Sequence, residues 1–323
     1  MHPDFGKPEP KPYKCPAAGP DSLDLTRSDG ATIPGLPPIV CQTGRVYGFI
    51  IFKRYMTVND IARAIEAVAP LPLQEDYDNA GIQYGDPRQE VSRVLVALDV
   101  TEETIAEARE TGAGLIVSHH PLIFRPLRKI TPRDYVSRTV IAAIRAGISL
   151  YAAHTNLDNA DGGVNYRMAE VLGLENLSPL ETLPAERTAG MAPERAQRCG
   201  SGLIGELPEA LKETDFIGLV KKRFNCPVVK HNVTGRKIRK VALCGGAGGS
   251  FIPAALRHRA DAYLTGEVGY HPFFGHPDLL IVEAGHYETE QFTCNLLREI
   301  IRNACPGVEV FITRKPANPV QVD

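Results

Sequence analysis

From Met56 onward the apolar positions fall into two alternating patterns. Ile61, Ala62, Ile65 and Val68 recur at helical spacing behind Thr57, with Asp60 three places after it, which predicts a capped helix. Residues 93–98 form a compact apolar run of strand type, and Thr101-Glu102-Glu103-Thr104 opens a second helix with Thr101 as its cap. Residues 115–118 predict the next strand, ending at His119. A helix follows from about Tyr135 to Ala146, then a strand over 148–153 that ends at His154. Further along, 240–244 reads as a strand, a glycine-rich turn leads to a helix around 253–259, and 262–265 is again a strand. A last strand ends at Gly285, followed by a helix with Phe292, Leu296, Leu297 and Ile300 on one apolar face. Strands alternating with helices predict an α/β fold with largely parallel sheets.

The segment from Arg93 to His120-Pro121 and the segment from Lys240 to His271-Pro272 share this plan at similar spacing. They read as two related α/β lobes facing each other across a cleft, and a chance likeness of two strand–helix–strand units explains the pattern equally well. Lobe one is expected over about 56–180 plus the C-terminal part, and lobe two over about 203–280. Residues 181–202, with Pro184, Gly190, Pro193 and Gly200, read as the connecting loop. Residues 1–55 carry prolines at 3, 8, 10, 12, 16, 20, 34, 37 and 38, and no periodicity survives among them. They are expected to be a disordered or loosely attached extension, with Met56 a candidate initiator.

Composition narrows the function classes. The chain has 323 residues, 43% of them hydrophobic, enough for a large core. Its 36 basic and 38 acidic side chains give a formal net charge of -2, which lends no support to nucleic-acid or membrane binding. No apolar run approaches a membrane span, and the stretch 48–52 is too brief even for a signal-peptide core. The seven cysteines are odd in number and scattered, which fits neither a disulfide framework nor a thiolate zinc site. They fit a reducing compartment, so a cytoplasmic location is expected.

The candidate chemistry lies where strands end. His119-His120-Pro121 closes one strand, and His154 closes another with Asp158 four residues on. His286 and Glu290 stand four apart at the start of a helix, on one side of it. Taken singly, each has a plainer reading: a core or surface histidine pair, a turn aspartate, acids favoured by a helix N-terminus. Taken together they share geometry, because open α/β sheets place ligands at the carboxyl ends of their strands. Four of the nine histidines, His119, His120, His154 and His286, sit at such ends. Imidazole plus carboxylate is the donor set of zinc, manganese, iron or nickel. Five or six donors are too many for one tetrahedral ion with an open position, and suit two ions sharing a carboxylate. Residues 245–250, Gly-Gly-Ala-Gly-Gly-Ser, follow a strand and are either a plain turn or an amide cradle for phosphate.

Val117-Ser118-His119-His120-Pro121-Leu122, His154-Thr155-Asn156-Leu157-Asp158 and Gly285-His286-Tyr287-Glu288-Thr289-Glu290 resemble the motifs of the Nif-three-like dinuclear metal centre hexameric proteins, also described as GTP cyclohydrolase 1 type 2 homologues. Tyr77-Asp78-Asn79-Ala80-Gly81, Leu98-Asp99-Val100-Thr101 and Thr265-Gly266-Glu267 support the likeness, which spans 56–323. The resemblance implies two divalent metal ions per subunit. It assigns His120 and Asp158 to one ion, His119 and His286 to the other, and Glu290 to both, with His154 close by. It also implies a homohexameric ring. Residues 1–55 have no counterpart in it, and the long insert of some relatives is absent. The expected function is a metal-dependent hydrolase of a nucleotide or phosphorylated small molecule, with His154 either as general base or as a residue that orients the ligands from behind. The alternative is a non-enzymatic metal-binding ring that scaffolds or regulates a partner.

Overall fold

The computed structural model of the protein describes residues 56–315 and 318–321. The expected extension, residues 1–55, lies outside the described residues. Strand β1 (Met56–Thr57) leads into α1 (Val58–Val68), whose first turn is closed by a capping box: Asp60 N donates to Thr57 Oγ1 at 3.1 Å and Thr57 N to Asp60 Oδ2 at 2.9 Å. After it come β2 (Gly81–Tyr84), β3 (Glu90–Val91) and β4 (Arg93–Ala97). Helix α2 (Glu102–Thr111) starts at the expected Thr101 cap. It is followed by β5 (Leu115–Ser118), α3 (Tyr135–Ala146), β6 (Ser149–Ala152), the single turn α4 (Thr155–Asp158) and α5 (Val164–Leu172).

The rest of the chain runs β7 (Glu175–Thr182), α6 (Pro193–Ala196), β8 (Gly200–Lys212), α7 (Glu213–Phe224), β9 (Lys230–His231) and β10 (Lys237–Cys244). Then follow α8 (Ile252–Arg257), β11 (Ala262–Thr265), β12 (Leu280–Glu283), α9 (His286–Glu290), α10 (Thr293–Ala304) and β13 (Glu309–Ile312). The connecting loop expected over 181–202 is shorter than its composition suggested. Its two ends are the paired ends of β7 and β8, with Thr182 opposite Gly200. Gly200 begins β8 and Pro193 opens α6, while Pro184 and Gly190 lie in the turns between β7 and α6.

Two sheets carry the fold. In the first, β13, β4, β5 and β6 run parallel, and β2 is added antiparallel at the edge. In the second, the order is β7-β8-β10-β11-β12-β9, with β10, β11 and β12 parallel and antiparallel neighbours on both sides. The chain is thus α/β, one sheet nearly all parallel and the other mixed. Strand alternation divides the core. Val94, Val96, Leu115, Val117 and Tyr151 face α1 and α10, while Leu95, Ile116 and Leu150 face α2 and α3. In the second sheet Val241, Leu243, Leu264 and Val282 pack toward α5 and α7, and Ala242, Tyr263 and Ile281 toward α8. Both faces of each sheet are covered, so the parallel strands read as continuous apolar runs.

Candidate metal centre

Parallel strands bring their carboxyl ends to one edge, and here that edge is where the two sheets meet. Beyond β5 the ladder continues for two residues: His119 N bonds Ala97 O at 3.3 Å and His120 N bonds Leu98 O at 3.0 Å. Adjacent side chains on a straight strand point apart. The chain turns here, with Ser118 Oγ donating to the His120 carbonyl at 2.8 Å, and the two rings end 4.9 Å apart. His154 caps α4, and Asp158 ends it. His286 opens α9 behind Gly285, whose φ of 93° suits glycine. A Cβ on Gly285 would also lie 2.1 Å from Glu288 Oε2. Glu290 is four residues on, which puts its Oε2 3.1 Å from His286 Nε2.

All six residues singled out in the sequence are brought together. His120 Nε2 lies 2.9 Å from Glu290 Oε2 and 3.2 Å from His286 Nε2. His119 Nε2 lies 3.6 Å from Asp158 Oδ1 and 3.7 Å from Glu290 Oε1. One nitrogen each of His119, His120 and His154 forms a further group close enough to hold a cation, as do His120, His286 and Glu290. Neighbouring atoms therefore group His119 with Asp158 and His120 with His286, one group on each oxygen of Glu290. This differs from the assignment implied by resemblance. The turn after β5 buries His119 fully on the Asp158 side and leaves His120 facing α9.

Each histidine is held by its other nitrogen. His119 Nδ1 bonds the Ala153 carbonyl at 2.7 Å, His120 Nδ1 the Asp99 carboxylate at 2.8 Å, His286 Nδ1 Glu267 at 2.8 Å and His154 Nδ1 Asp78 at 2.7 Å. A carbonyl only accepts, so His119 donates from Nδ1, and in the neutral ring Nε2 carries a lone pair. That lone pair faces two carboxylates. His119 Nε2 and Asp158 Oδ1 are both buried without a hydrogen-bond partner. Acceptors converging in a buried site fit a bound cation.

The electrostatics point the same way. Burial opposes charge on His120, yet hydrogen bonds to Asp99 and Glu290 outweigh it and push its pKa up to about 10. His286 is likewise raised to about 9 against burial, chiefly by Glu290. His119 is raised by Asp158 and Glu290 despite complete burial. Burial drives Asp158 above the usual carboxylate range. Glu290 stays well below it because His119, His120 and His286 outweigh its own burial. The carboxylates of the cluster thus favour positive charge at its histidines.

Three amides of the glycine-rich segment are engaged within the protein. Gly245 N donates to Asn165 Oδ1, Gly246 N to Thr289 Oγ1 and Gly248 N to Thr265 Oγ1. Its glycines serve close approach: a Cβ on Gly246, where φ is +60°, would sit 2.3 Å from Glu290 Oε1. A cavity of about 280 Å³ opens on the Asp158 side, lined by Tyr77, Phe124, His154, Asn165 and Ser201 among others. A second, of about 510 Å³, opens beside His120 and His286. Reasoning from sequence assigned no role to Asp78 or Asp99. A signal was present, since Asp99 and Glu267 each stand two residues beyond a strand, β4 and β11.

No helix among the described residues is long and apolar enough to cross a membrane. A GTP cyclohydrolase 1 type 2 homolog of Lactococcus lactis is 35% identical over 268 residues, covering 82% of this chain and 98% of that protein. The crystal structure of a Bacillus cereus protein related to NIF3 has a TM-score of 0.75 at 25% identity, over 84% of this chain and all of that one (100%). A Staphylococcus aureus hypothetical protein gives 0.74 at 26%, over 83% of this chain and 100% of its own. The model of the family Duf34/NIF3 (NGG1p interacting factor 3) matches residues 56–319, and the chain belongs to that family.

Proposed function

We propose that the chain holds two divalent metal ions and uses them to hydrolyse a nucleotide or phosphorylated small molecule. One observation carries the metal reading: His119 Nε2, its ring oriented by the Ala153 carbonyl, faces Asp158 at 3.6 Å and Glu290 at 3.7 Å and is buried without a hydrogen-bond partner. His119 and Asp158 would hold one ion and His120 and His286 the other, with Glu290 giving an oxygen to each. Bound there, two divalent ions supply Lewis-acid polarisation of the scissile group and acidify a nearby water. His154 borders the 280 Å³ cavity and accepts the proton released there, with Nδ1 held by Asp78. Relatives named GTP cyclohydrolase 1 type 2 homolog make a purine nucleotide the first substrate to try.

The test is turnover of GTP and of bis(p-nitrophenyl) phosphate with added manganese or zinc, by wild type and Glu290→Ala. Elemental analysis should give near two ions per wild-type chain. Equal turnover by both proteins sinks the hydrolase reading, and near-zero metal under replete conditions sinks the metal reading. The homohexamer belongs to the same proposal and is read from the native mass of the full chain.

A further inference from the structure

Asp78 is a buried carboxylate with an unusual number of donors. Its side chain is fully buried and lies in the loop between α1 and β2. Oδ1 accepts from His154 Nδ1 at 2.7 Å and from Asn79 N at 2.7 Å. Oδ2 accepts from Thr155 N at 3.0 Å and from the Thr155 hydroxyl. Burial alone would neutralise such an acid, but these donors hold its pKa down at about 2, so it remains a carboxylate. None of these partners is one of the five proposed ligands.

His154 differs from the other histidines of the cluster. The Nε2 atoms of His120 and His286 lie against Glu290 and each other. Among the described residues, His154 Nε2 has no protein hydrogen-bond partner, and its ring stands edge-on to Phe124 in the cavity wall, with centroids 6.1 Å apart. An ionised acid at Nδ1 determines which nitrogen carries the proton. We infer that Asp78 is the positioning residue for His154: it keeps the proton on Nδ1 and aims Nε2 into the cavity as an acceptor. Thr155, next to His154 in sequence, grips the second oxygen of Asp78, so ring, acid and α4 form one rigid unit. The inference rests on the hydrolase reading for its chemical use but not for its geometry.

The test uses full-length, zinc-loaded, ¹⁵N-labelled protein, with the His154 ring signals assigned by their loss in His154→Gln. Wild type should show the Nδ1–H form of His154. Asp78→Ala should shift it toward Nε2–H, with zinc content unchanged. Turnover of bis(p-nitrophenyl) phosphate should then fall at least about tenfold in kcat with little change in KM. Asp78→Asn keeps the shape and removes the charge. It should fold even if the alanine variant does not, and give an intermediate Nε2–H population. An unchanged Nδ1–H form in the folded variants overturns the inference, and so does zinc loss that accompanies the tautomer shift. If wild type turns over neither bis(p-nitrophenyl) phosphate nor GTP, the hydrolase reading fails, and the tautomer result still decides the role of Asp78.

Discussion

Glu290 is 5% exposed, and its two oxygens face different histidine groups. Glu290→Gln removes the negative charge between them, and bound metal measured by elemental analysis should fall well below two ions per chain. Asp99 acts at one remove, since it touches only the far side of His120. Asp99→Asn should therefore weaken zinc affinity by about 10–100-fold in a chelator competition while leaving the protein folded. The raised pKa values of the metal-free histidines also set a direction. At neutral pH the empty site holds protons on His120 and His286, and an ion must displace them. Zinc affinity should fall as pH drops from about 8 to 6, with protons released on binding, as measured by calorimetry in buffers of different ionisation enthalpy.

Among the elements, those with local punctuation were legible from sequence. Thr57 with Asp60, Thr101, and the apolar runs of β4, β5 and β11 carry their own signals, and the helix at Tyr135–Ala146 falls where its pattern predicts. Thr57→Ala should cost about 1 kcal/mol in urea unfolding, the usual worth of such a cap. The paired ends of β7 and β8 were not legible, because strand pairing there is decided by partners across the sheet and not by local composition. The clustered histidines and their two acids could be read because they follow strand ends. The acids behind them also stand near strand ends, but which acid meets which imidazole depends on how strands are ordered. Glu107 on α2 is a similar case: it is buried and accepts from Thr313 Oγ1 and from Arg314 N and Nε beyond β13. Burial raises its pKa, but these donors bring it below the ordinary value, so the acid stabilises the fold above about pH 4.5 and loses that effect as pH falls through its lowered value. The urea midpoint of Glu107→Gln should therefore lie below wild type near neutrality, with the gap closing on acidification.

For the whole molecule, the decisive fact is that the proposed ligands come from both sheets: His119, His120 and Asp158 follow strands of the first, and His286 and Glu290 follow β12 of the second. Removing metal with a chelator should lower Tm and speed amide hydrogen exchange around residues 153–158 and α9, more than in cores remote from the cluster. The proposed ions would act as a shared inorganic bolt and tie the fate of the chain to nutrient supply. A cell short of the cation would hold copies that come ajar along this seam, and proteases would clear those first.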